Sequence, residues 1–137
     1  MTTFLAKTEP DEYSIDDLSH EGQTHWRGVR HPTAVRTIQT MQPGDRVLIY
    51  HSGAKPGIVG LAQVVTDPEV DPADPKSWFV DFRYLRHFDQ VVTLKEIKDS
   101  ALFDDWALVR QGRLSTMVVP EHFLVWFIDR LDRPIEG

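Results

Sequence analysis

The chain has 137 residues, no cysteine, 41% apolar and 26% charged residues, and a formal net charge of −6 at pH 7. That length suits a single domain over residues 1–137 with a substantial core, and the lack of cysteine excludes a disulfide framework, thiolate metal sites and a cysteine nucleophile. The acidic balance argues against a protein that coats duplex nucleic acid through a basic stripe, so recognition of nucleic acid would rest on a pocket for one base with a few local cations. No apolar run approaches the roughly 20 residues needed to cross a bilayer. The N-terminus lacks the basic and apolar regions of a secretory signal. No membrane partner and a cytoplasmic location are the simplest expectations.

Phe4–Lys7 reads as a first strand, ended by Thr8-Glu9-Pro10, where proline removes a donor and biases the preceding residue towards extended backbone. Ser14-Ile15-Asp16-Asp17 has the form of an N-cap followed by an acidic first turn, predicting a short helix to about His20. Gly22–Thr24 reads as a loop leading to Trp26-Arg27-Gly28-Val29-Arg30. Pro32 suits the first turn of a second helix, whose apolar stripe is Val35 and Ile38 with Met41 beyond.

Gln42-Pro43-Gly44-Asp45 turns the chain into a hairpin. Its strands are Arg46–Tyr50 and Ile58–Thr66, and its loop contains Gly53, Pro56 and Gly57. Gly60, inside the second strand, marks a place where backbone or another group approaches closely. Asp67–Ser77 holds three Asp-Pro pairs without apolar periodicity and reads as a surface loop. Trp78–Phe88 alternates as a strand. Thr93-Leu94-Lys95-Glu96 starts a brief helix to about Lys98, and a helical turn is expected around Asp105–Val109. Arg113–Val119 reads as a last strand. Pro120 opens a C-terminal helix with Phe123, Leu124, Phe127, Ile128 and Leu131 on one face and Trp126 beside it. Irregular alternation of strands and short helices gives an α+β class, a curved mixed sheet with peripheral helices.

Several residues could carry chemistry. Trp26 beside Gly28 either closes one end of the core or offers a stacking face to a planar base, with Arg27 or Arg30 meeting phosphate. His51 and Ser52 lie at the end of an apolar strand and suggest a hydrolase pair. Neighbouring strand side chains point to opposite faces, however, and no G-x-S-x-G elbow is present. A hydrogen bond from His51 inside a pocket is the better reading. The six histidines show no metal-ligand spacing, so no metal and no cofactor are expected. The glycines match neither a Walker loop nor G-x-G-x-x-G. Lys7, Trp26, Arg30, His51, Arg113 and Ser115 together supply cations, donors and a π-face, the inventory for reading a base and anchoring its phosphate.

The ordered series Phe4-Leu5-Ala6-Lys7-Thr8-Glu9-Pro10, Tyr13-Ser14-Ile15-Asp16-Asp17-Leu18, Trp26-Arg27-Gly28-Val29-Arg30, Gly44-Asp45, Tyr50-His51-Ser52, Ile58-Val59-Gly60, Asp71-Pro72 and Arg113-Leu114-Ser115 resembles the EVE domain over nearly the whole chain. The resemblance implies a PUA-like curved mixed β-barrel with short peripheral helices. It also implies a non-catalytic module that binds modified nucleobases in DNA or RNA, 5-methylcytosine-type bases among them. Such a reader acts alone or supplies specificity to a protein partner that carries an effector activity. Carried over residue by residue, it implies a ligand site of Lys7, Thr8, Glu9, Trp26, Gly28, Val29, Arg30, His51, Ser52, Arg113, Leu114 and Ser115. The chain departs from the pattern at His31-Pro32, where the resemblance implies asparagine before the proline. Two other readings stand beside this one: an enzyme on modified nucleic acid or a nucleotide, with His51 or Glu9 as acid–base, and a protein-interaction module using Asp67–Ser77.

Overall fold

The computed structural model describes residues 1–131 and 135. Seven strands form one mixed sheet: β1 (Thr3–Thr8), β2 (Gln23–Trp26), β3 (Arg46–His51), β4 (Gly57–Val64), β5 (Glu69–Asp71), β6 (Asp74–Thr93) and β7 (Thr116–Val118). The order is β2-β6-β4-β3-β1-β7, with β5 paired to β6 beside this path. β1 is parallel to β3, in register Thr3–Arg46 to Thr8–His51, and the other pairs are antiparallel. Among the described residues no ladder joins β2 to β7, so the α+β arrangement is as expected but the barrel stays open.

The central strands β1, β3 and β4 are nearly continuous apolar runs because both faces are covered. Phe4, Leu5, Leu48, Ile49, Ile58 and Leu61 are fully buried there. The helices α1 (Ile15–Glu21), α2 (Pro32–Gln39), α3 (Leu94–Asp99), α4 (Ala107–Arg110) and α5 (Glu121–Ile128) are short. None of the described helices is long and apolar enough to cross a membrane. Local chemistry sets where they begin. Ser14 Oγ accepts from the Asp17 amide at 3.1 Å while Asp17 Oδ2 accepts from the Ser14 amide at 2.9 Å, a complete capping box. Thr93 caps α3 by accepting from the Glu96 amide, and Pro32 occupies the first turn of α2.

Three parts of the chain differ from the sequence reading. Residues 23–26 are strand, not the end of a loop, because Gln23 to Trp26 pair with Arg83 to Val80 of β6. Most of Asp67–Ser77 is likewise strand. β5 pairs with the start of β6 in a hairpin where Asp71 Oδ1 accepts from the Ala73 amide and Asp74 Oδ1 from the Lys76 amide. Its prolines lie at turn and strand-start positions that need no amide donor. In α5, Phe123, Leu124 and Phe127 are buried, Phe123 against Phe103 and Trp106 and Phe127 against Phe88, whereas Ile128 is 40% exposed and leaves the inward face. Leu131 follows α5, half-buried against the core.

Candidate functional site

A cavity of about 360 Å³ opens where the ends of β1 and β2 meet the loop before α2, a size within the usual range for small-ligand sites. Its walls are Lys7, Thr8 and Glu9 from β1 and the residue after it, Glu12 and Tyr13 from the approach to α1, Thr24 to Arg30, and Ser115. The ends of two strands, β1 and β2, and three loops thus converge on one opening. The lining carries three cations, Lys7, Arg27 and Arg30, against the carboxylates of Glu9 and Glu12. In a chain of net charge −6 this is a local concentration of positive charge.

Trp26, at the end of β2, is 9% exposed and packs on Phe82 with ring centroids 4.8 Å apart, while Tyr13 meets it edge-on at 6.1 Å. It therefore closes one end of the core and lines the cavity at once. The positive φ of Gly28 turns the backbone after it. Val29 is buried, and its carbonyl accepts a 2.7 Å hydrogen bond from the buried Ser77 Oγ.

On the opposite wall, Lys7 Nζ donates to the Gly112 carbonyl at 2.9 Å and lies 5.4 Å from the Tyr50 ring centre. Burial lowers its pKa from the ordinary lysine value. Thr8 Oγ1 donates to the Tyr13 carbonyl at 2.7 Å, fixing the chain that enters α1. Glu9 receives only long hydrogen bonds, 3.4 Å from the Asp11 amide and 3.4 Å from Ser52 Oγ, which leaves its carboxylate with acceptor capacity. The Tyr13 hydroxyl donates to Glu21, and burial, reinforced by that carboxylate, pushes its pKa up to about 12.

Of the residues singled out from sequence, Lys7, Thr8, Glu9, Trp26, Gly28, Val29, Arg30 and Ser115 come together around this cavity. His51, Ser52, Arg113 and Leu114 do not line it. His51 is committed elsewhere: its Nε2 accepts from the Ile15 amide at 3.0 Å, at the first turn of α1. Burial lowers its pKa, more than Asp16 and Glu9 raise it. The neutral ring thus holds a helix start and donates nothing to a pocket from that nitrogen. Ser52 stands behind Glu9, and Arg113 is exposed beyond the opening. Leu114 is 4% exposed and belongs to the core, where an apolar side chain after an exposed arginine is drawn inward. Glu12, Tyr13 and Thr24 were not singled out for this site, and only the pairing of β2 with β6 brings Thr24 to it. Among the described residues, no group of three or more His, Asp or Glu side chains is arranged to hold a metal ion.

The family model described as "EVE domain" matches residues 2–129. The chain belongs to the EVE domain family. Rat thymocyte nuclear protein 1 is 32% identical over 123 residues, covering 69% of this chain and 54% of that protein. The chain therefore spans about half the length of the curated relatives it matches. A solved structure from Agrobacterium tumefaciens is 28% identical with a TM-score of 0.88, covering 100% of this chain and 99% of that one. The human THYN1 protein, solved in complex with 5-methylcytosine-containing DNA, has a TM-score of 0.87 at 22% identity and covers 98% and 100% of the two chains. These likenesses establish the PUA-like α+β fold for this EVE domain.

His31, in the position where asparagine was expected, is the N-cap of α2, and its Nδ1 accepts from the Thr33 amide at 3.2 Å. An asparagine oxygen makes the same bond, so the helix start survives the exchange.

Proposed function

We propose that this EVE domain is a non-catalytic reader of a modified nucleobase in DNA or RNA, with 5-methylcytosine-type bases as first candidates. The base would be flipped out of its stack into the cavity between Lys7–Glu9 and Trp26–Arg30. The observation that carries this reading is the cavity itself: an aromatic wall, a carboxylate with spare acceptor capacity, and a cationic rim on an otherwise acidic chain. Membership of the EVE family and the relative solved on 5-methylcytosine-containing DNA support it.

In this reading the Trp26 surface left free by Phe82 packs on the base. Glu9 accepts from an exocyclic amine, as carboxylates do from the cytosine amino group. Lys7 and Arg30 contact phosphate, and Arg113 adds charge just outside. His51 and Ser52 act behind the wall, one holding α1 and the other Glu9. Any effector activity would then belong to a partner protein.

The test is a binding screen with oligonucleotides, single-stranded and duplex, each carrying one modified base, read by fluorescence anisotropy. A preference for one modification is expected, and Trp26→Phe, which keeps an aromatic ring against Phe82, should weaken it by about 1–3 kcal/mol or less. Equal or absent binding across all modified bases would sink the reader hypothesis.

A further inference from the structure

The stretch expected to be a surface loop instead braces the cavity's cationic lip. Three of the four lip residues Arg27–Arg30 are tied to the beginning of β6. Ser77 Oγ donates to the Val29 carbonyl, Arg30 Nε pairs with Asp74 Oδ2 at 2.8 Å, and the Arg27 guanidinium lies 4.7 Å from the Phe79 ring centre. Asp74 is itself held, because its other oxygen, Oδ1, accepts from the Lys76 amide at 3.1 Å. The pair is therefore asymmetric. Asp74 spends one oxygen on its own turn and one on Arg30, and the contact it makes to arginine is with Nε. A guanidinium held this way keeps its two terminal nitrogens for another anion.

We infer that Asp74 is a positioning residue for Arg30, aiming the terminal Nη fork at a phosphodiester of the strand whose base occupies the cavity. The inference rests on the nucleic-acid reading above and adds to it a specific anion contact with the residue that orients it. A bidentate fork to phosphate depends on orientation, which the long arginine side chain at 66% exposure would not hold by itself. Removing the carboxylate therefore costs affinity, although it also removes a negative charge near the phosphate. An exposed pair of this kind contributes little to stability, so the variants should fold.

Asp74→Asn is the discriminating substitution. It retains an oxygen for the Lys76 amide and loses the anionic partner of Arg30. Affinity for a fluorescein-labelled oligonucleotide carrying one 5-methylcytosine is measured by anisotropy at several KCl concentrations for wild type, Asp74→Asn, Arg30→Ala and the double variant. Arg30→Ala should weaken binding about tenfold and lower the salt slope by about one. Asp74→Asn should weaken it about three- to tenfold in the wild-type background and leave Arg30→Ala unchanged within about twofold, because coupled residues are non-additive. Unchanged or tighter binding by Asp74→Asn, or the same loss in both backgrounds, overturns the positioning role and leaves the reader function standing. A folded wild-type protein that binds no oligonucleotide at any salt concentration overturns both.

Discussion

Gly60→Ala is expected to separate α1 from the sheet. An ideal Cβ at Gly60 would lie 2.6 Å from Ile15 Cδ1, 2.7 Å from Ile15 Cγ1 and 2.9 Å from the Arg86 carbonyl oxygen. Ordinary carbon contacts are about 3.5–4.0 Å, so the neighbours must retreat by roughly 1 Å. Ile15 is 4% exposed, begins α1, and gives its amide to His51, so it has little room to turn away. The Arg86 oxygen is backbone opposite β4, and yields less still. Overpacking costs about 1–3 kcal/mol, and a backbone clash puts this substitution towards the upper end. For a domain of this size that is a fall in melting temperature of roughly 5–12 °C. Thermal and urea unfolding, followed by circular dichroism, measure it.

The decisive comparison is with Ile15→Ala, which alone leaves a void costing about 2–5 kcal/mol. In the double variant the new methyl partly fills that void, so the two losses should fall short of their sum by about 1 kcal/mol or more. Strict additivity, or a Gly60→Ala midpoint within about 2 °C of wild type, would refute the close approach of Ile15 to Gly60. The outcome bears on the cavity, since Glu12 and Tyr13 lie on the approach to this helix.

Two further predictions concern residues that support the site from behind its walls. His51 has a lowered pKa in the folded state, so folding excludes a proton there. Its contribution to stability is complete above the unfolded-state value of about 6.5 and is lost as pH falls from there through the lower folded-state value. Protonation removes the Nε2 lone pair that receives the Ile15 amide. His51→Gln should flatten this part of the stability–pH profile in urea unfolding between about pH 5 and 7, and an unchanged slope would contradict the assignment. Ser77→Ala leaves the buried Val29 carbonyl without its donor. A loss of about 1–3 kcal/mol is expected, read by unfolding midpoint, with weaker binding at the lip that this bond secures.

Much of the architecture could be read from local chemistry. The Ser14–Asp17 capping box, Pro32 in the first turn of α2 and the glycine-bearing hairpin after Asp45 are signals contained within a few residues, and each produced its element. Gly60 was also legible as a close approach, although not that Ile15 would be what approached. The misreadings share a different cause. Gln23–Trp26 and Glu69–Asp71 are too short and polar to show strand periodicity, and they become strands by pairing with the long β6. His51 illustrates the same limit in the candidate site. Alternation along the strand speaks against a serine–histidine pair, but no local pattern tells that the ring accepts an amide thirty-six positions away. Leu114 sits in a motif whose members burial separates, Arg113 to solvent, Leu114 to the core and Ser115 to the cavity.

β6 gives the site an unusual thermodynamic tie to the rest of the molecule. Its twenty residues hold β5 and the cavity lip at one end, join β2 and β4 along its length, and pass directly into α3. The ties from Arg27, Val29 and Arg30 to β6 couple the order of the lip to that of the long strand. A ligand seated there would be linked to global unfolding, and its occupancy would register as protection of amides far across the sheet. The lip and the scaffold meet in a single strand.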